Sequence, residues 1–165
     1  MDAQLKEVLL HQVTSEHEAA LVYTKLAYEM DNLSFPGIRD WFYAQAEEER
    51  THAQKFADHL LDRGERVSIG TMTVPDITAA SPLDAFEAAL KHEEKVSAEI
   101  RTIAQVADEV KDFESRSLVN WFLNEQIEEE ATVSEIIDQV KLVGNDGSGL
   151  LRIDARLGGR TEPNA

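Results

Sequence analysis

Residues 64–81, GERVSIGTMTVPDITAAS, constrain the fold of this chain more than any other stretch. They hold two glycines and a proline, show no helical periodicity, and are long for a connection inside one compact domain. On either side, apolar residues recur at the three- and four-residue spacing of helix faces, over about 2–33, 36–63, 81–109 and 112–143. Almost nothing alternates with the period of a strand. The first two segments are separated only by a short turn around SFPG, and the last two follow one another almost directly, so each pair reads as an antiparallel hairpin. Extended at roughly 3.3 Å per residue, residues 64–81 can span more than about 50 Å, whereas a helix of about 28 residues is only about 42 Å long. The segment can therefore carry the chain from one end of the bundle to the other. Two hairpins joined by one long crossover predict an all-α four-helix bundle that is not a simple up-and-down one.

The punctuation agrees. Pro36 suits the first turn of the second helix and Gly64 ends it, while Ser81 caps the third, with Pro82, Asp84 and Glu87 in its opening turns. GNDGSG stops the fourth helix, and LLRIDARLGG predicts a short fifth helix within 147–158, with Gly149 to Leu157 as its body. The expected organisation is a bundle at 1–146, that short helix, and a flexible polar tail at 159–165.

Composition narrows the function. With 32 acidic and 16 basic residues, the net charge of −16 argues against nucleic acid or an anionic membrane as partner and favours cations. The chain has no cysteine, which removes disulfides, thiol catalysis and thiolate-held metal clusters. MDAQLKEVLLHQ lacks the pattern of a signal peptide, and no stretch reaches membrane-spanning length, so the cytoplasm is the expected location.

Each apolar line carries one interruption near its middle. The first runs Leu5, Leu9, Gln12, Glu16, Ala20, Tyr23, Ala27, Met30, and the second Ile38, Phe42, Gln45, Glu49, His52, Phe56, Leu60. The third is Leu83, Phe86, Leu90, Glu93, Ser97, Ile100, and the fourth Leu118, Phe122, Gln126, Glu129, Val133, Ile136. Glu93 lies 18 residues before Lys111 (111 − 93) and Glu129 lies 18 after it (129 − 111). Glu16 and Glu49 stand 17 and 13 residues from Leu33 and Pro36 (33 − 16 and 49 − 36), so all four fall within about one helical turn of a common height. Carboxylates in an apolar interior need compensation, and neither Lys nor Arg falls on these lines at this level. A pair of metal ions meets that need. Oxygen-rich ligation with one imidazole suits iron or manganese better than copper or structural zinc.

TSEHEAALVY, EEERTH, KHEE and NEQIEEE resemble, in order and interval, the four ferroxidase motifs of the non-haem ferritins. FYAQAEEERTHA and WFLNEQIEEE are most similar to actinobacterial members. Glu49-x-x-His52 paired with Gln126-x-x-Glu129, in place of a second Glu-x-x-His, resembles ferritin rather than bacterioferritin or rubrerythrin. The resemblance implies a ferritin-like four-helix bundle with a diiron centre. Glu16, Glu49 and His52 would hold the first iron and Glu49, Glu93 and Glu129 the second, with Glu49 as bridge and Gln126 close by to bind oxygen species or metal. Tyr23 resembles the tyrosine beside such centres. Glu48, Glu125 and Glu128, with Glu129, match a third iron site.

The implied activity is oxidation of Fe2+ to Fe3+ by O2 or H2O2 and storage of a ferric oxo-hydroxide mineral in a homo-oligomeric shell of twenty-four copies. In that shell the fifth helix would meet its copies at a fourfold axis, and Asp112 and Glu114 would be channel acids. His11, His17, His59 and His92 match no ligand position, and no methionine stands in a haem-ligating context. The rival readings are a peroxide-scavenging di-metal protein and a DNA-protecting miniferritin. The latter builds its metal site between subunits and would not need ligands on all four helices.

Overall fold

A computed structural model describes residues 1–159 and contains five helices: α1 (Ala3–Asn32), α2 (Pro36–Asp62), α3 (Pro82–Glu109), α4 (Arg116–Val143) and α5 (Gly147–Leu157). No strand occurs among the described residues. The expected tail lies, apart from Gly159, outside them.

Local chemistry sets the helix ends. The Asp2 carboxylate accepts from the amides of Gln4 and Leu5 at 2.8 and 3.4 Å, and the Ser81 hydroxyl accepts from that of Asp84 at 3.2 Å. Pro36 and Pro82 occupy first turns, where a missing N–H costs nothing. Helix α4 starts four residues later than the periodicity suggests. The Asp112 carboxylate accepts from the Ser115 amide at 3.0 Å and from Arg63 at 2.7 Å, which folds 112–115 into a turn after Lys111 at φ 56°.

The crossover runs the length of α1, held by successive side chains of that helix. Lys6 reaches Glu65 at 2.6 Å, the Thr14 hydroxyl accepts from the Gly70 amide at 2.9 Å, and Glu18 accepts from the Thr73 amide at 2.6 Å. Farther along, Lys25 binds the Pro75 carbonyl and Asp76 at 2.9 and 3.1 Å, and Glu29 accepts from the Ala79 amide at 3.1 Å. These contacts satisfy backbone groups that an irregular segment would otherwise leave to water.

The four long helices bury two apolar clusters. One gathers Tyr23, Leu26 and Met30 of α1, Phe42 of α2, Phe86 of α3 and Val133 and Ile136 of α4, closed by Ile153 and Leu157 of α5. The other gathers Leu5 and Leu9, Phe56 and Leu60, Val96 and Ile100, and Phe122 from the same four helices. Between them the interior is polar: Gln12, Glu16, Gln45, Glu49, His52, Glu93, Ser97, Gln126 and Glu129 are all buried. The intruders expected on the four helices thus share one layer.

Candidate metal centre

The polar layer is built by pairs that a helix places one turn apart. Gln12 donates to Glu16 Oε1 at 2.9 Å on α1, and Gln45 donates to Glu49 Oε1 at 3.3 Å on α2. Gln45 also reaches across to α4, where its amide nitrogen lies 3.0 and 2.9 Å from the two oxygens of Glu129. His52 Nδ1 sits 3.2 Å from Glu49 Oε2, the i, i+3 relation of the sequence motif made physical. The Tyr23 phenol donates to Glu93 Oε1, and Gln126 Nε2 donates to Glu93 Oε2 at 3.2 Å and to the Glu93 carbonyl at 3.3 Å.

These donors do not neutralise the layer. Among the described residues, the one ion pair within 4.0 Å that Glu16, Glu49, Glu93 or Glu129 makes is between Glu49 and His52. Glu16 Oε2 is buried and has no donor. Glu16 converges with the Glu49 carboxylate and the His52 imidazole, and two carboxylates so placed are reconciled by a proton or a cation. Burial pushes all four carboxyls up from the usual carboxylate range. Glu49 adds to the shift at Glu16, Glu93 adds to it at Glu49, and Glu93 and Glu49 together add to it at Glu129. Burial and the nearby Glu93 likewise push the Tyr23 phenol up, so it serves as a donor throughout the physiological range.

Two sets of ligand atoms converge within 4.8 Å: Glu16, Glu49 and His52 form one, and Glu48, His52, Glu125 and Glu129 the other. His52 belongs to both. Glu93 joins neither set, because Tyr23 and Gln126 hold its oxygens, but it is an electrostatic neighbour of Glu49 and Glu129. Glu128 is exposed on α4 and stands outside both sets, though it adds to the upward shift of Glu125 that burial begins. The donor set fits a hard, oxygen-preferring cation with one nitrogen ligand.

Four polar residues in or beside the layer carry no role in the sequence motifs. Gln12 and Gln45 stand four residues before Glu16 and Glu49 on the same core-facing lines, a Gln-x-x-x-Glu spacing that was available as a signal. Ser97 and Glu130 could not be found that way: the Ser97 hydroxyl accepts from Gln126 at 3.2 Å and donates to Glu130, a connection between α3 and α4 that only the fold creates. Trp121 has no role in the motifs either; its ring meets the His52 imidazole edge-on at 5.5 Å, and the Lys55 ammonium lies over the ring, 4.7 Å from its centroid.

Asp112 is paired with Arg63, so at the turn between α3 and α4 only Glu114 offers an exposed carboxylate of the two acids expected there. His59 bonds Ser115 at 2.9 Å, and His92 is half-buried with its ring edge-on to Tyr23, its pKa lowered to about 4 by burial and by Lys95.

Comparison with known proteins agrees with this architecture. A family model described as the ferritin-like domain matches residues 6–143. The bacterial non-heme ferritin of Staphylococcus aureus (strain MRSA252) is 34% identical over 161 residues, covering 98% of this chain and 97% of the relative. That of Staphylococcus haemolyticus (strain JCSC1435) is 32% identical over the same length. Among solved structures, a ferritin of Archaeoglobus fulgidus engineered to a closed form superposes with a TM-score of 0.95 at 32% identity, covering 99% of both chains. The open-pore ferritin of that archaeon matches with the same TM-score and identity over 98% of this chain and 99% of its own. A family match across most of the length, full-length relatives above 30% identity, and a bundle whose four helices share one buried carboxylate layer lead to one assignment: the chain belongs to the ferritin family.

Proposed function

We propose that this chain oxidises Fe(II) inside its bundle and stores the product as a ferric oxo-hydroxide mineral within a cytoplasmic shell of twenty-four copies. The observation that carries the reading is the buried carboxylate layer, in which Glu16 Oε2 has no hydrogen-bond partner and Glu16 converges with Glu49 and His52. Iron is the substrate and the cargo. Glu16, Glu49 and His52 would hold one Fe(II); Glu49, Glu93 and Glu129 would hold a second, with Glu49 shared. Glu48 and Glu125, with His52 and Glu129, would take a third or an incoming ion, and Glu128 would attract it from solvent. Among the described residues, no helix is long and apolar enough to cross a membrane.

The chemistry balances in two electrons. Two Fe(II) ions give up one electron each; O2 takes both with two protons to become H2O2, or H2O2 takes both with two protons to become two waters. Anionic oxygen ligands favour the ferric product because they stabilise the higher charge. Tyr23 and Gln126 keep the Glu93 carboxylate oriented while no cation holds it. Hydrolysis of each Fe(III) by two waters gives the oxo-hydroxide and three protons.

The test is aerobic Fe(II) loading of the assembled protein, with iron counted per particle and oxidation followed by stopped flow. Wild type should accumulate iron far beyond two or three per chain, and Glu49→Ala or His52→Ala should remove the fast phase. Iron that stops at the ligand count would favour peroxide scavenging instead. A fast phase that survives both substitutions would remove the site.

A further inference from the structure

Helix α4 presents two chemically different sides to the centre. Toward α2 the side is acidic: Glu125 and Glu129 converge with Glu48 and His52. Toward α3 there is a groove of about 340 Å³ whose walls include the aliphatic side chains of Ile100, Leu123 and Ile127, with Arg101 among them. Its polar lining is Ser97, Gln126 and Glu130.

That polar end is fixed by a chain of hydrogen bonds. The Ser97 hydroxyl has a single proton, which it gives to Glu130 Oε1, so toward Gln126 it can only accept. Gln126 Nε2 lies 3.2 Å from Ser97 Oγ and 3.2 Å from Glu93 Oε2, which sets the amide with its nitrogen toward α3. Gln126 is 5% exposed, and the groove it lines therefore ends one side chain from a carboxylate of the centre.

The two sides suit different reactants. A hydrated dication is attracted by clustered carboxylates and is poorly served by aliphatic walls beside a guanidinium. A small neutral molecule meets no such penalty, and the two charges lining the groove, Arg101 and Glu130, are opposite in sign. We infer that the α3–α4 groove is the port by which a small neutral oxidant, dioxygen or hydrogen peroxide, reaches the Glu93 edge of the centre, while Fe(II) arrives over the α2–α4 acids. This inference rests on the oxidase reading above and adds to it the separation of the two substrates.

The experiment narrows and widens the groove without touching a residue of the centre. Ile127 is 68% exposed, so Ile127→Trp and Ile127→Ala are tolerable to the fold, and Leu123→Phe narrows the wall from a second position. Initial rates are measured on the assembled protein at saturating Fe(II), against O2 in one arm and against H2O2 without O2 in the other. Anaerobic Fe(II) titration is run on each variant. Ile127→Trp and Leu123→Phe should raise the half-saturating oxidant concentration at least threefold, with maximal rate and Fe(II) stoichiometry unchanged. Ile127→Ala should leave that concentration at or below the wild-type value. A rise in either arm assigns the groove to that oxidant. Wild-type oxidant dependence in both narrowed variants, or an effect that falls on Fe(II) binding, overturns the port. Failure of the oxidase reading would look different, since wild type itself would then lack a fast phase dependent on Glu49.

Discussion

The Asp154 carboxylate of α5 accepts a 2.8 Å hydrogen bond from the backbone N–H of Ile38, 116 residues earlier, and so caps α2 from outside that helix. Phe35, at the N-cap position, has no side chain able to do this. A Cβ at Gly37 would lie 1.9 Å from the Asp154 carbonyl oxygen, so the close crossing of α5 over α2 depends on glycine there. Asp154→Ala should destabilise the bundle by about 1–2 kcal/mol, the usual effect of losing an N-cap, and Asp154→Asn should recover most of it. Denaturant unfolding of dissociated subunits measures both. No loss in the alanine variant would mean that α5 matters only between subunits.

The contact between Tyr23 and Glu93 makes a prediction of its own. In Tyr23→Phe, Glu93 Oε1 loses its donor from α1 in a fully buried setting. The metal-free protein should lose about 1–3 kcal/mol, the range for a buried hydrogen bond to a charged or chargeable group. With a redox-inert divalent ion such as Zn(II) bound, the cation replaces the phenol as partner and the difference should shrink. Thermal unfolding of both proteins, with and without Zn(II), closes that cycle; an equal loss in both states would place Glu93 outside the metal sites.

His52 belongs to both convergent sets, whereas Glu16 belongs to one and Glu125 to the other. Anaerobic calorimetric titration with Fe(II) should therefore show two binding phases weakened in His52→Ala, one in Glu16→Gln and the other in Glu125→Gln. Glu128→Gln should shift affinity by no more than about threefold, the scale of a screened surface charge. If Glu128→Gln removes a phase as completely as Glu125→Gln, the exposed carboxylate is a ligand after all.

Most of the fold and the composition of the polar layer were legible because both follow from periodicity. Glu16, Glu49, Glu93, Gln126 and Glu129 interrupt four apolar lines at matching heights, and 64–81 is long enough to join the hairpins by a crossover. What was hidden depends on relations between distant elements. The capping of Ile38 by Asp154 and the Ser97–Glu130 link have no signature in local spacing. The late start of α4 was hidden for a related reason: Asp112 is drawn away from helix geometry by Arg63, 49 residues earlier. The grouping of Glu129 with Glu48 and Glu125 was legible from the motifs, but the place of His52 in that same set, and the turn of Glu93 to Tyr23 and Gln126, depend on rotamers that one-dimensional order does not encode.

The raised carboxyl pKa values of the centre fix the sign of its pH dependence. Burial, reinforced by neighbouring carboxylates, raises the pKa values of Glu16, Glu49, Glu93 and Glu129 above those of the unfolded chain, about 4.3 for a glutamate. The native state then binds more protons than the unfolded one, so metal-free stability declines as pH rises from the unfolded values through the folded ones. His92 and His59, whose pKa values burial lowers, contribute the opposite slope below about pH 6.5, which leaves the range above that as the window where the glutamates are read apart from them. A bound divalent ion competes with those protons, so its stabilisation should grow over the same window. Glu16→Gln keeps an acceptor for Gln12 and removes one charge from the pair with Glu49. It should stabilise the metal-free protein at pH 7, with a difference from wild type that widens as pH rises toward the raised pKa of Glu16. Unfolding midpoints of both proteins across the window, with and without Zn(II), measure this. A glutamine variant less stable than metal-free wild type at pH 7, or a difference that narrows with pH, would mean that Glu16 and Glu49 do not repel one another in a dry layer.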